Sequence, residues 1–89
     1  MTTLAKEGPN GVLEDRVLAI LREGLGVNVD PEMDVIEAGL LDSLTFVDLM
    51  VRLEGVFNMT IDVESVELDD FRTARAIAGY LVRDHGVVA

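Results

Sequence analysis

The sequence places a serine directly after an aspartate, Asp42-Ser43, where a Gly- and Asp-containing stretch gives way to an apolar one. A serine hydroxyl can act as a nucleophile, cap a helix or accept a covalent group. Nucleophilic catalysis lacks support, because no G-x-S-x-G motif surrounds the serine and the only histidine, His85, lies near the chain end. Taken alone, the pair is typical of an N-cap and first helical turn, where side-chain oxygens satisfy free backbone N–H groups.

Metal and thiol chemistry also lack support in the sequence. Asp30, Glu32 and Asp34 alternate like the start of a calcium loop, but Val35 stands where a glycine is expected and Leu41 where the closing glutamate is expected. We therefore predict no metal site and interpret these acids as a solvated loop. The chain has no cysteine, so any thiol it uses must come from a cofactor. We assign no catalytic residue and predict that the protein is not an enzyme.

Composition limits the class of protein and partner. With 89 residues, 49% of them hydrophobic, the chain suits one domain with one core. Lys and Arg number 7 against 17 Asp and Glu, a net charge of −10 that disfavours nucleic acid and anionic membranes and favours a basic partner protein. The N-terminal segment lacks the features of a signal peptide, and no apolar run approaches the ~18–20 residues of a membrane span. These features predict a soluble cytoplasmic protein.

The spacing of apolar residues predicts an all-α fold, a bundle of three main helices and one short third helix. Gly24 and Gly26 are expected to end the first helix, and Gly86 to follow the last one. We predict a flexible leader over 1–10, one domain over 11–86 and a tail over 87–89. The first predicted helix has its apolar face at Leu13, Val17, Ile20 and Leu21. The second runs from Ser43 to about Phe57 with Asp42 as N-cap, and the short third runs from Asp62 to about Glu67. The last helix begins after Thr73, its N-cap.

The second predicted helix carries two apolar stripes. The first stripe is predicted to lie in the core and comprises Phe46, Leu49, Met50, Leu53 and Phe57. The second stripe either is buried as well, because the helix is central in the bundle, or is an exposed ribbon that docks a partner protein. We favour the second alternative because the stripe follows the serine directly. The predicted partner surface comprises Leu44, Val47, Asp48, Val51 and Glu54.

The run AGLLDSLTFVDLMVRLEGVF resembles the signature of the acyl carrier protein family, and the resemblance extends over roughly residues 12 to 84. It implies a four-helix acyl-carrier fold in which Ser43, within the Asp42-Ser43-Leu44 motif, is esterified with 4′-phosphopantetheine from coenzyme A. The resemblance further implies three partners: a phosphopantetheinyl transferase, an activating acyl- or aminoacyl-ligase and a downstream acyltransferase. The missing thiol would arrive with the cofactor. We expect a monomeric carrier that holds its cargo as a thioester.

The C-terminal run DDFRTARAIAGYL is similar to the corresponding stretch of D-alanyl and other stand-alone aminoacyl carrier proteins. This similarity predicts a small amino acid as cargo. Leu44 and Phe71 depart from those carriers, which commonly have methionine and tryptophan at these positions. Two alternatives remain at this point: a general acyl carrier for fatty-acid, polyketide or nonribosomal-peptide synthesis, and an unmodified acidic helical module that only binds a partner.

Overall fold

The computed structural model describes residues 11–87, which form three α-helices and two 3-10 turns. The helices are α1 (Gly11–Leu25), α2 (Ser43–Phe57) and α3 (Ala74–His85), and the turns are Val63–Ser65 and Leu68–Phe71. The predicted all-α, acyl-carrier-like fold is confirmed. The predicted leader over 1–10 and the last two residues of the predicted tail lie outside the described residues. No helix between residues 11 and 87 is both long and apolar enough to cross a membrane.

Helix α1 packs against both α2 and α3, so its apolar side forms the middle of the core. The four predicted core positions of α1 are buried, and Leu18 is buried as well because α1 has a partner on two sides. Gly24 lies inside α1, whereas it was expected to end the helix. The helix instead ends at Leu25, since Gly26 has a φ of 72° that suits glycine and donates its N–H to the Arg22 carbonyl at 2.9 Å.

The predicted short third helix is the element in which the structure differs most from the sequence pattern. Between residues 62 and 67 the chain forms only the three-residue 3-10 turn Val63–Ser65, which starts after Asp62. None of the three residues is buried, so no packing energy favours further helical turns. The next turn, Leu68–Phe71, is held by the fully buried Phe71 ring.

Phe71 connects two helices through its ring. The ring meets Phe46 of α2 edge-on at 5.4 Å between centroids, and it meets Tyr80 of α3 at 5.0 Å. Helix α3 begins and ends as predicted: the Thr73 hydroxyl accepts the Ala76 N–H at 3.0 Å, and Gly86 has a φ of 66°. The core thus positions α2 so that its N-terminus faces solvent beside the loop that precedes it.

Candidate functional site

Ser43 is the first residue of α2, and its side chain is exposed. The residue that caps the helix is Asp42, whose Oδ1 accepts the N–H groups of Leu44 at 3.1 Å and Thr45 at 2.9 Å. Within residues 11–87 the Ser43 hydroxyl makes no hydrogen bond. The capping role that the sequence suggested for the Asp-Ser pair therefore belongs to the aspartate, and the serine hydroxyl is available to another molecule.

Thr45 completes a capping box with Asp42. Its Oγ1 accepts the Asp42 N–H at 2.8 Å, and its hydroxyl lies 3.4 Å from the Leu40 carbonyl oxygen. Asp42 and Thr45 lie on either side of Ser43-Leu44 in the chain, so the backbone of Ser43 is held from both directions. An exposed hydroxyl on a fixed backbone is a suitable attachment point for a group that other proteins must recognise.

The loop before Ser43 is anchored by buried side chains at Val29, Val35 and Leu41. Its acids are not all solvated, and that interpretation is wrong for Asp34. The Asp34 side chain accepts the N–H groups of Ile36 and Glu37 at 3.0 and 2.9 Å. Its other oxygen accepts a hydrogen bond from the Arg72 guanidinium at 3.2 Å. Between residues 11 and 87, no cluster of three or more His, Cys, Asp or Glu side chains could hold a metal ion.

Arg72, which no motif in the sequence singled out, contacts the loop from a distant part of the chain. Its guanidinium bonds both Asp34 and Asp69. The one sequence signal for its role is that a single arginine follows the acidic LDDF run. Its partner Asp34 lies 38 residues away, so the sequence alone does not indicate the contact.

Hydrogen bonding lowers the pKa of two carboxyls near Ser43. For Asp42 the largest cause is the backbone N–H of Thr45, followed by the Thr45 hydroxyl. For Asp34 the largest cause is the backbone N–H of Glu37, and the Arg72 guanidinium lowers the pKa further. Both carboxylates therefore remain ionised at neutral pH, and Asp42 keeps a negative charge beside the Ser43 hydroxyl.

These two lowered pKa values predict acid sensitivity. A carboxyl whose folded pKa lies below its ordinary value of 3.8 stabilises the fold fully above that value and loses this stabilisation as pH falls through the folded pKa. We expect the melting temperature to fall as pH decreases below about 4. Thermal unfolding followed by circular dichroism between pH 2 and pH 7 measures this loss. The variant Asp34→Asn with Asp42→Asn should show a weaker dependence below pH 4, and an unchanged slope would contradict the assignment.

The second apolar stripe of α2 is exposed, so the alternative that it is buried in the bundle is wrong. Leu44 is 78% exposed, Val47 50% and Val51 59%. The first stripe supplies the core contacts of α2, with Leu49, Met50 and Leu53 buried and two aromatic residues, Phe46 and Phe57, partly buried.

The two acids beside the exposed stripe already have partners within the chain. The Asp48 carboxylate accepts a hydrogen bond from Arg52 at 2.8 Å, and Arg52 also lies 3.4 Å from Glu23 of α1. The Glu54 carboxylate accepts the N–H of Ile61 at 2.8 Å, which holds the segment after α2 against the helix. The side chains of the stripe that are free for contact are therefore the apolar ones.

Comparison with known proteins identifies relatives of similar sequence. The family described as "Phosphopantetheine attachment site" matches residues 15–81 of this chain. A D-alanyl carrier protein of Streptococcus suis (strain 98HAH33) is 35% identical over 72 residues, which cover 79% of this chain and 91% of that protein. A D-alanyl carrier protein of Lactococcus lactis subsp. cremoris (strain MG1363) is 39% identical over 49 residues, which cover 55% of this chain and only 62% of that protein.

Proposed function

The chain belongs to the family of phosphopantetheine carrier proteins, and from this premise we propose that Ser43 is the residue that carries the cofactor. The cofactor of the family is covalently attached 4′-phosphopantetheine. The observation that supports Ser43 is its position: an exposed hydroxyl on the first residue of α2, with no hydrogen-bond partner between residues 11 and 87. The only other serine, Ser65, donates its hydroxyl to the Asp62 carbonyl at 3.0 Å.

The residues around Ser43 fit a phosphodiester. The N-terminus of a 15-residue helix carries a partial positive charge, which favours an anion there. Asp42 already accepts the N–H groups of Leu44 and Thr45, so we expect the attached group to extend into solvent and not to bind those two groups. Leu44, the next residue, is also exposed. The cofactor supplies the thiol that this cysteine-free chain lacks.

Intact-mass measurement tests the attachment site. We expect incubation with coenzyme A and a broad-specificity phosphopantetheinyl transferase to add the mass of one phosphopantetheine. Trypsin cleaves after arginine, so Ser43 falls in the peptide 23–52 and Ser65 in the peptide 53–72. The added mass should be found in the first peptide. A modified 53–72 peptide would overturn the assignment to Ser43, and no added mass at all would favour an unmodified interaction module.

We infer a small amino acid as cargo, held as a thioester. The similarity to D-alanyl carrier proteins supports this inference. The packing also supports it, because the rings of Phe46, Phe71 and Tyr80 pack against one another in series from α2 to α3. An aminoacyl group carries an ammonium near neutral pH, and burying that charge without a partner costs several kcal/mol. Such a cargo stays outside the bundle.

A loading assay tests the cargo. The phosphopantetheine form is offered alanine, glycine and octanoic acid with ATP and a panel of acyl- and aminoacyl-ligases, and the loaded mass is measured. We expect a small amino acid to be loaded. Loading of octanoic acid alone would replace the aminoacyl proposal by a general acyl carrier.

The protein works by passing its cargo between enzymes and has no catalytic residue of its own in this proposal. Its partners are the transferase, an activating ligase and a downstream acyltransferase, and the carrier acts as a monomer in the cytoplasm, where coenzyme A and ATP are available. We propose that these enzymes dock on the exposed face of α2, formed by Leu44, Val47 and Val51 and flanked by Asp48 and Glu54. The bonded carboxylates leave the three apolar side chains as the main contacts.

The docking proposal predicts the effect of a charge within this face. Val51→Glu should slow ligase loading by about tenfold, because a carboxylate would be desolvated against an apolar partner surface. Val56→Glu is the matched control, since Val56 lies on the same helix, is 47% exposed and points away from the docking face. Both variants should melt within about 2 °C of the wild type. Equal slowing of loading by both variants would show that net charge matters and the face does not.

A further inference from the structure

Arg72 joins the loop before Ser43 to the start of α3 through both its backbone and its side chain. Its carbonyl oxygen accepts the N–H of Val35 at 2.8 Å. Its Nη1 donates to Asp34 at 3.2 Å, and its Nε donates to Asp69 in the 3-10 turn Leu68–Phe71. Two of these contacts, from the carbonyl oxygen and from Nη1, reach the loop at Val35 and Asp34, and the third holds the guanidinium against the adjacent 3-10 turn.

Contacts within the loop connect this anchored place to the first turn of α2. The Val35 side chain is fully buried, and its carbonyl oxygen accepts the N–H groups of Leu40 at 2.9 Å and Leu41 at 3.2 Å. The Leu40 carbonyl oxygen in turn lies 3.4 Å from the Thr45 hydroxyl. Hydrogen bonds therefore connect Arg72 through Val35 to Leu40 and Leu41, and Leu41 directly precedes Asp42, the cap of the turn that contains Ser43.

We propose that Arg72 is a positioning residue for Ser43, which fixes the 34–41 loop and so presents the serine in one orientation to the enzymes that act on it. This inference rests on the proposed modification of Ser43. The Arg72 side chain is 39% exposed and the Asp34 side chain 31%, so the contact adds little as a core interaction. Its effect is on geometry, and group transfer depends strongly on how the reacting hydroxyl is placed.

The chemistry of arginine suits this role better than that of lysine. The planar guanidinium presents donors in a fixed fork, so one side chain bonds Asp34 and Asp69 at the same time. A lysine ammonium is a single point of charge on a flexible stem. We therefore expect Arg72→Lys to keep the charge but to restore the positioning only in part.

Arg83 provides a matched control within the same molecule. It also bonds two acids, Asp70 at 3.2 Å and Asp84 at 3.0 Å, and its side chain is 60% exposed. Among residues 11–87 it makes no hydrogen bond or ion pair with the 34–41 loop or with α2. Arg83→Ala removes the same charge and a similar pair of bonds without touching the series of contacts that leads to Ser43.

The experiment measures the transferase reaction on the wild type, Arg72→Ala, Arg72→Lys and Arg83→Ala, with amide chemical shifts of each unmodified protein. Arg72→Ala removes the side-chain contacts with Asp34 and Asp69 and keeps the backbone bond to Val35. For this variant we expect kcat/KM to fall roughly threefold to tenfold, amides of residues 34–45 to shift, and Arg72→Lys to fall in between. Arg83→Ala should react like the wild type, with shifts confined to its own surroundings. Modification of the wild type at Ser43 tests the proposed function separately from this inference.

Two outcomes would overturn the positioning role. One is a wild-type reaction rate for Arg72→Ala. The other is that Arg72→Ala and Arg83→Ala react equally slowly and have equally lowered melting temperatures. That result would show that general stability, and not loop position, limits the reaction.

Discussion

Ser43→Ala is expected to abolish phosphopantetheinylation completely, because alanine lacks the oxygen to which the phosphate would be esterified. The fold should remain intact, since the helix cap is made by Asp42 and Thr45 and the serine side chain is exposed. Intact mass after incubation with coenzyme A and the transferase measures the modification. Thermal unfolding of the same sample measures the fold, and we expect a melting temperature within about 2 °C of the wild type.

Two control variants distinguish loss of the attachment site from loss of the fold. Ser65→Ala removes the other serine and should be modified like the wild type. Asp42→Ala removes the cap and should lower the melting temperature by about 4–8 °C, as expected for the loss of an N-cap in a domain of this size. Persistent modification of Ser43→Ala would refute the attachment site, and a melting temperature as low as that of Asp42→Ala would show that the serine supports the helix.

Phe71→Ala is expected to cause the largest loss of stability of any variant considered, about 3–5 kcal/mol. The ring is fully buried, contacts Phe46 of α2 and Tyr80 of α3, and holds the turn Leu68–Phe71. Its removal leaves a cavity between these two helices. Against a total stability of about 5–15 kcal/mol for a typical domain, this loss is a large fraction of the free energy of unfolding. Urea unfolding followed by circular dichroism measures the difference.

Leu68→Ala is the control for this prediction, because Leu68 lies in the same 3-10 turn and is 53% exposed. Its free energy of unfolding should change by less than about 1 kcal/mol. A similar loss for both variants would mean that the turn matters more than the packing of the ring. A loss below about 1.5 kcal/mol for Phe71→Ala would show that the core relaxes around the missing ring.

The sequence alone determined the helices whose ends are set by neighbouring residues. Helix α2 starts after Asp42 and ends at Phe57 as predicted, and α3 starts after Thr73 and ends before Gly86. Caps of this kind are interactions between residues two to four positions apart, so the sequence contains both partners side by side. The family followed from the motif around Ser43 for the same reason, because its residues lie in one short run.

The tertiary structure decided the contacts between distant parts of the chain. Apolar spacing showed that α2 has two stripes, but only the packing against α1 decides which of them is covered and leaves Leu44 exposed. Arg72 and Asp34 are 38 residues apart, and Glu54 meets the backbone of Ile61 only because the chain turns back after α2. The hydrogen-bonding partner of such a charged side chain depends on which distant segment the fold brings next to it. A local sequence pattern contains no information about that segment.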